Sequence, residues 1–222
     1  METNLQNQLD TLKSSLLSMA ALVEEQIARA ISALVNRNIE LCNNVISSDQ
    51  PINMMELEID DQCFRLLALQ NPIASDLRFV ATSMKITIDL ERIGDIAVNI
   101  AKKTKELIEK PDLKPLIDIP QMADLAQTMV TDSLNAFVRG DNQLALQICS
   151  RDNEVDQWQD QILEELLEYM VENPSSAPQV LQLIFISRNI ERIADHATNI
   201  AEGVVFYSEG RVIKHHADDG LN

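Results

Sequence analysis

Two stretches of the chain repeat nearly the same pattern of acidic and amide side chains. Residues 91–101 read ERIGDIAVNIA and residues 191–201 read ERIADHATNIA, so eight of the eleven positions are identical, without a gap. Positions spaced by four residues lie along one face of an α-helix. Each copy therefore predicts a strip of oxygen-bearing side chains on one helix, formed by Glu91, Asp95 and Asn99 in the first copy and by Glu191, Asp195 and Asn199 in the second.

Related pairs at the same spacing occur in the helix that precedes each strip. The second half has Asp152 and Asp156, and the first half has Asp49 and Asn53. If the two helices of each half are neighbours, each half presents two facing acidic edges. Several carboxylates that face one another are typical ligands for iron, manganese, magnesium, calcium or zinc ions.

A solvated acidic helix face is the alternative interpretation of the strips. Arginines three residues from an acid would relieve the repulsion, in the pairs Arg92–Asp95, Arg188–Glu191 and Arg192–Asp195. Outward positions do not need a particular residue for packing, because the apolar stripe of each helix centres on roughly the opposite side. The repetition of the acids therefore favours a functional use.

Composition and charge narrow the class of protein. The 222-residue chain has a formal net charge of −17, five glycines, seven prolines and 4% aromatic residues. This composition favours an all-helical protein. The negative charge argues against nucleic acid and against an anionic membrane surface, and it favours cations or the basic face of a protein partner.

Targeting and redox signals point to the cytoplasm. The N-terminus lacks the basic and apolar regions of a signal peptide, and no run approaches the roughly 18 apolar residues of a spanning helix, so direct membrane insertion is not expected. Cys42, Cys63 and Cys149 lack metal-site spacing and are interpreted as buried thiols of a reducing compartment.

The apolar periodicity predicts an all-α fold of six helices in two tandem three-helix bundles related by internal duplication. We predict a first bundle over residues 1–110, a proline-rich linker over 111–120, a second bundle over 121–208 and a loosely ordered tail over 209–222. Within the first bundle, helix 1 should end near Arg37, Pro51 should break helix 2, and Asn71-Pro72 should start helix 3. The heptad-like seam of helix 1 would also allow a homodimer.

The sequence lacks the signatures of most catalytic sites. No Glu-x-x-His pair, glycine-rich phosphate loop or nucleophile–base constellation occurs, which predicts a protein that is not an enzyme. His196 adjoins Asp195, where a plain polar role is favoured over metal binding. Two alternatives stay open: a metal-dependent hydrolase or oxidase that uses the clustered carboxylates, and a purely structural helical scaffold.

Three segments together carry a resemblance to a known family. They are NPIASDLR at residues 71–78, LERIGD at residues 90–95 and RNIERIADHATNIA at residues 188–201. The chain resembles the PhoU family of phosphate-uptake regulators over essentially its full length. The resemblance implies a cytoplasmic negative regulator of phosphate uptake and of the phosphate-starvation response, acting through the ATPase of an ATP-driven phosphate transporter and a sensor histidine kinase.

The same resemblance implies multinuclear iron or zinc clusters on the bundle surfaces. Their ligands here would be Glu191, Asp195, Asp152, Asp156, Glu91, Asp95 and Asp49. Two departures from the family pattern lie in the first half, where Asn53 replaces an aspartate and Ile96 replaces a frequent histidine. The second-half site is therefore predicted to bind metal more tightly.

Overall fold

The computed structural model of the chain describes residues 2–111, 113 and 118–213. These residues form helices joined by short connections, and no strand occurs among them. The helices are α1 (Glu2–Val35), α2 (Ile39–Ser47), α3 (Gln50–Gln70), α4 (Ala74–Ile108), α5 (Asp118–Arg139), α6 (Asn142–Glu172) and α7 (Ala177–Glu209), with a 3₁₀ turn at Pro174–Ser176. The predicted all-α fold is confirmed, with the second helix divided into α2 and α3.

The division between α2 and α3 follows from one proline. Pro51 lies in the first turn of α3, where its missing N–H group needs no partner, and Asp49 is the N-cap residue. Glu154 holds the corresponding position in the second half, so α6 continues without a break. The starts of α2 and α6 match in both halves: Asn38 Oδ1 and Asp141 Oδ1 each accept a hydrogen bond of 3.0 Å from a backbone N–H group three residues on.

Two predicted helix starts were wrong. The end of α1 is close to the prediction, at Val35, two residues before Arg37, which has a left-handed backbone (φ 49°). Asn71 does not start the next helix: it ends α3 in a left-handed conformation (φ 45°), and Ile73 is the N-cap of α4. α5 begins at Asp118, inside the predicted linker. Part of that linker and most of the predicted tail, including His215 and His216, lie outside the described residues.

The helix α4 packs antiparallel on α7 and joins the two halves. Three contacts mark this interface from one end to the other: Arg78 Nε donates to Tyr207 O at 2.9 Å, His196 Nδ1 lies 2.9 Å from Asp89 Oδ1, and Gln182 Nε2 donates to Glu106 Oε2 at 2.7 Å. The buried apolar residues of both halves form one continuous cluster. The halves therefore share a hydrophobic core.

Aromatic side chains from three helices reinforce this shared core. Phe79 of α4 stacks on Phe137 of α5 with ring centroids 5.1 Å apart, and Tyr207 of α7 contacts both rings. The heptad-like seam of α1, which includes Leu12, Leu16 and Met19, is buried in the same core. That seam is thus used within the chain. None of the helices described here is both long and apolar enough to cross a bilayer.

Candidate functional site

Four of the predicted site residues meet where α6 packs against α7. Asp152 and Asp156 lie on α6, and Glu191 and Asp195 lie on α7. Each of the two α7 carboxyls interacts electrostatically with at least one α6 carboxyl. The four residues form what we call the second-half cluster.

The surroundings of the second-half cluster disfavour the charged form of its carboxyl groups. Burial raises the pKa of Glu191, Asp195 and Asp152, because a charged group loses hydration there. Neighbouring carboxylates raise these pKa values further, Asp195 and Asp156 acting on Glu191, and Asp156 acting on Asp195. Negative charge is therefore crowded in the second-half cluster.

Nearby arginines do not neutralise the second-half cluster. Arg188 lowers the pKa of Glu191 and Arg192 lowers that of Asp195, as the predicted pairs require, but the net direction remains upward for both acids. Compensation by arginine is therefore partial.

The first half builds a related cluster between α3 and α4. Burial raises the pKa of Glu91 most, and Asp95, Glu56 and Asp49 raise it further, while Arg92, with Nε 3.7 Å from Glu91 Oε2, opposes them. We call Asp49, Glu56, Glu91 and Asp95 the first-half cluster. All seven site residues predicted from the sequence thus fall into these two clusters.

Glu56 was missed in the sequence. Asp49, Asn53 and Glu56 follow the spacing i, i+4, i+7 of one helix face, so a signal was present, but it continues past the amide that interrupts the acidic motif. In the second half the same three positions carry Asp152, Asp156 and Gln159. Each cluster consequently contains four carboxylates. Glu56 lies about one turn further along α3 than the position that corresponds to Asp156 of α6.

Asn53 makes the first-half cluster different from its counterpart. Asn53 Nδ2 donates a hydrogen bond of 3.0 Å to Asp49 Oδ2, whereas Asp156 at the corresponding position adds a negative charge. An amide therefore supports the Asp49 carboxylate in the first half. In the second half the equivalent carboxylates repel each other.

Several oxygens in and beside the clusters lack partners. Asp49 Oδ1, Asn53 Oδ1 and Gln159 Oε1 are buried without a hydrogen bond to any group in the described part of the chain. Such oxygens are suitable ligands for a hard cation. Among residues 2–111, 113 and 118–213, however, no three Asp, Glu, His or Cys side chains converge closely enough to hold one ion. The donor types fit a metal, but the clusters are open rows rather than preformed cages.

His196 has the polar role that the sequence favoured. Its Nδ1 atom contacts Asp89 Oδ1 across the α4–α7 interface. The positively charged form of the ring would lower the pKa of Asp195. The corresponding first-half residue, Ile96, is buried in the core, and Asn189 stands in place of Asp89. The absence of a histidine at position 96 thus follows from a packing role at that position.

The raised pKa values predict a pH dependence of stability in the metal-free protein. Ordinary pKa values are 3.8 for Asp and 4.5 for Glu, and the folded-state values of Asp152, Asp195 and Glu191 lie above them. The folded state therefore holds these protons more strongly than the unfolded state. Its stability is highest below about pH 4 with respect to these groups, and falls as the pH rises through the raised values.

Urea denaturation of chelator-treated protein at about pH 4 and about pH 7.5 measures this loss. Replacing Glu191 by Gln and Asp195 by Asn should reduce the difference between the two pH values. The matched control replaces two exposed α6 acids, Glu164 and Glu168, by Gln. If the cluster variant keeps the pH dependence of the control, the clusters do not cause it.

Comparison with known proteins places the whole chain in a family. The family model of the PhoU domain matches residues 16–104 and again residues 119–204. The phosphate-specific transport system accessory protein PhoU homologue of Aquifex aeolicus is 40% identical over 94% of both chains. The accessory protein PhoU of Escherichia coli is 35% identical over 97% of this chain and 89% of its own.

Solved structures agree with the sequence comparison. The crystal structure of PhoU from Pseudomonas aeruginosa superposes with a TM-score of 0.89 at 39% identity, covering 93% of this chain and 99% of that one. The phosphate transport system regulatory protein PhoU from Streptococcus pneumoniae gives the same TM-score at 33% identity, covering 95% and 99%. The helical repeats, each with its copy of the acidic motif, are thus found in a chain that belongs to the PhoU family, whose members are accessory proteins of phosphate transport.

Proposed function

We propose that this protein is a cytoplasmic negative regulator of phosphate uptake and of the phosphate-starvation response. It acts without catalysis, as an adaptor between the ATPase subunit of a phosphate transporter and a sensor histidine kinase. Family membership supports the link to phosphate transport, and the relatives are named as accessory proteins of that system. The observation that carries the proposal is the pair of acidic clusters, whose charge is only partly compensated within the chain.

Electrostatics supply a physical reason for an adaptor with such clusters. A surface of crowded carboxylates gains free energy when a positive partner surface approaches, because the repulsion within the cluster is relieved. Two clusters, one in each half, would allow two partners to be held by one chain. A net charge of −17 also increases the rate of encounter with basic surfaces.

Metal binding is a second part of the proposal. Asp152, Asp156, Glu191 and Asp195 would hold iron or zinc in the second half, and Asp49, Glu91 and Asp95 in the first, where Glu56 adds a fourth carboxylate. A bound metal would supply positive charge that removes the repulsion among the carboxylates. Because the described side chains form open rows, ligation requires rotation of these half-exposed side chains towards one another.

A deletion strain tests the regulatory function. In phosphate-rich medium, loss of the gene should switch on a reporter fused to a phosphate-starvation promoter, and the wild-type gene should switch it off again. The variant with Glu191→Ala and Asp195→Ala should fail to do so, whereas Glu164→Ala with Glu168→Ala, which removes the same charge from α6, should succeed. An unchanged reporter in the deletion strain would refute the proposal.

The two clusters should differ in their affinity for metal. Asp195→Ala removes one of four mutually repelling carboxylates, whereas Asp95→Ala acts on a cluster where Asn53 already supports Asp49. We expect the second-half cluster to account for the tighter binding, so that Asp195→Ala lowers the metal content of purified protein more than Asp95→Ala. Elemental analysis of protein purified without chelators or a polyhistidine tag measures this, and equal losses would contradict it.

A further inference from the structure

The duplication provides an internal comparison for the outward face of α3. Met54, Leu57 and Phe64 on this face are exposed by 49%, 63% and 58%. We call these three residues the α3 ridge. The corresponding residues of α6 are Gln157, Asp160 and Leu167, so the same structural position is largely polar in the second half.

Geometry places the three ridge residues on one side of the helix. At about 100° per residue, positions 54, 57 and 64 fall within roughly 80° of one another. Single exposed apolar residues are ordinary on protein surfaces, but an aligned set that includes a phenylalanine is typical of an interaction surface. Ile59, Cys63 and Leu66 form the opposite, buried face of the same helix, so the ridge is not needed for the core.

Acidic residues border the α3 ridge on both sides. On the helix, Asp60 lies on one flank of the ridge and Glu58 on the other. Asp61 lies on the face of the ridge itself, four residues after Leu57 and three before Phe64. Arg65 is the one basic residue of α3, and its Nε forms an ion pair of 2.8 Å with Asp61 Oδ2. The surface therefore combines three exposed apolar side chains with an excess of negative charge on and beside the same face.

This charge pattern selects among possible occupants. A second copy packed face to face would bring acidic borders against acidic borders, between chains that each carry a net charge of −17. An anionic membrane would be repelled in the same way. A helix with an apolar stripe flanked by lysine or arginine satisfies both the ridge and its borders.

We propose that the α3 ridge is the docking surface for a basic amphipathic helix of a protein partner. Apolar side chains of that helix cover Leu57 and Phe64, and its basic side chains pair with Glu58, Asp60 and Asp61. The biological identity of the partner rests on the adaptor function proposed above. The two halves then have different tasks: the first supplies an apolar docking surface where the second carries Gln157 and Asp160.

A synthetic peptide tests the surface independently of any natural partner. The probe is a helical peptide with leucines on one side flanked by lysines, and the control peptide has the same composition with the leucines distributed around the helix. Binding of the labelled peptides is measured by fluorescence anisotropy at physiological ionic strength. The wild-type chain should bind the probe at least about tenfold more tightly than the control peptide, because only the probe buries the ridge.

Paired protein variants locate the binding surface. Leu57→Gln with Phe64→Gln should weaken binding of the probe at least about tenfold, whereas Leu167→Gln with Val171→Gln, at exposed apolar positions of α6, should leave it within about twofold. Glu58→Lys with Asp61→Lys should also weaken binding more than Glu154→Lys with Glu164→Lys, which changes the net charge equally. Circular dichroism and thermal melting verify that each variant is folded.

Three results would overturn the proposed docking surface. Equal binding of both peptides, or equal effects of the α3 and α6 variants, would overturn the inference. So would self-association of the wild-type chain in sedimentation experiments that the Leu57→Gln, Phe64→Gln variant abolishes, because a second copy would then cover the ridge. The purified transporter ATPase and the cytoplasmic part of the kinase are tested in parallel. If the ridge binds the probe but neither protein binds the wild-type chain, the adaptor function fails and the docking surface stands.

Discussion

Saturating the metal-free protein with zinc or ferrous iron is expected to raise its melting temperature by about 5–10 °C. A ligand at a hundredfold excess over its Kd stabilises the folded state by about 2.7 kcal/mol, which corresponds to a shift of this size in a chain of this length. The physical reason lies in the second-half cluster, where burial and mutual repulsion raise the pKa of Asp152, Glu191 and Asp195. A cation relieves both effects at neutral pH.

The variant with Glu191→Ala and Asp195→Ala should lose most of this shift. Without metal it should melt no lower than the wild-type protein, because removal of two repelling carboxylates costs the folded state little. Glu164→Ala with Glu168→Ala is the matched control and should keep the full shift. Differential scanning calorimetry with and without metal measures all three proteins. A metal-induced shift of equal size in the cluster variant and the control would show that the cluster is not the binding site.

Phe137→Ala is expected to destabilise the whole molecule by about 3–5 kcal/mol. Truncation of a fully buried phenylalanine removes its transfer free energy and leaves a cavity. Phe137 is buried and stacks on Phe79 of the other half, with Tyr207 against both rings. The substitution therefore destabilises the core that the two halves share, and both halves should unfold together in one transition.

Urea denaturation followed by circular dichroism, with calorimetry beside it, measures the effect. Phe185→Ala is a suitable control because Phe185 lies on α7, is about half exposed and contacts the Lys103 ammonium group, so its loss should cost less than about 1 kcal/mol. Two separate transitions in the Phe137→Ala protein, with only one of them displaced, would contradict a shared core.

The acidic clusters could be predicted because helix geometry is local. Glu191 and Asp195 share a helix face whatever surrounds them, and the duplication indicated that the face was used. Glu56 escaped the prediction because Asn53 interrupts the motif and the helix face had to be followed one turn further. The start of α4 was also missed: the Asn71-Pro72 sequence fits a helix start, but Asn71 instead ends α3 in a left-handed conformation.

The partnership between α4 and α7 could not be derived from periodicity. An apolar stripe shows which side of a helix is buried but not which other helix covers it. The contact from His196 to Asp89 joins residues more than a hundred positions apart, and neither residue type alone indicates the other. For the same reason the sequence predicted two bundles in tandem but not that their cores would merge.

The antiparallel contact of α4 with α7 bears on the symmetry of the molecule. Arg78 meets Tyr207 near one end of the interface, and Glu106 meets Gln182 near the other, so each of two equivalent helices lies against the other in reverse. Exchange of the two repeats would leave this arrangement nearly unchanged, which is the property of a two-fold axis. The interface between the two repeats therefore has the symmetry that two identical copies of one repeat would adopt as a dimer, here within one chain. Within this symmetric frame the two copies differ: both keep an acidic row, but Met54 and Leu57 stand where the second copy has Gln157 and Asp160.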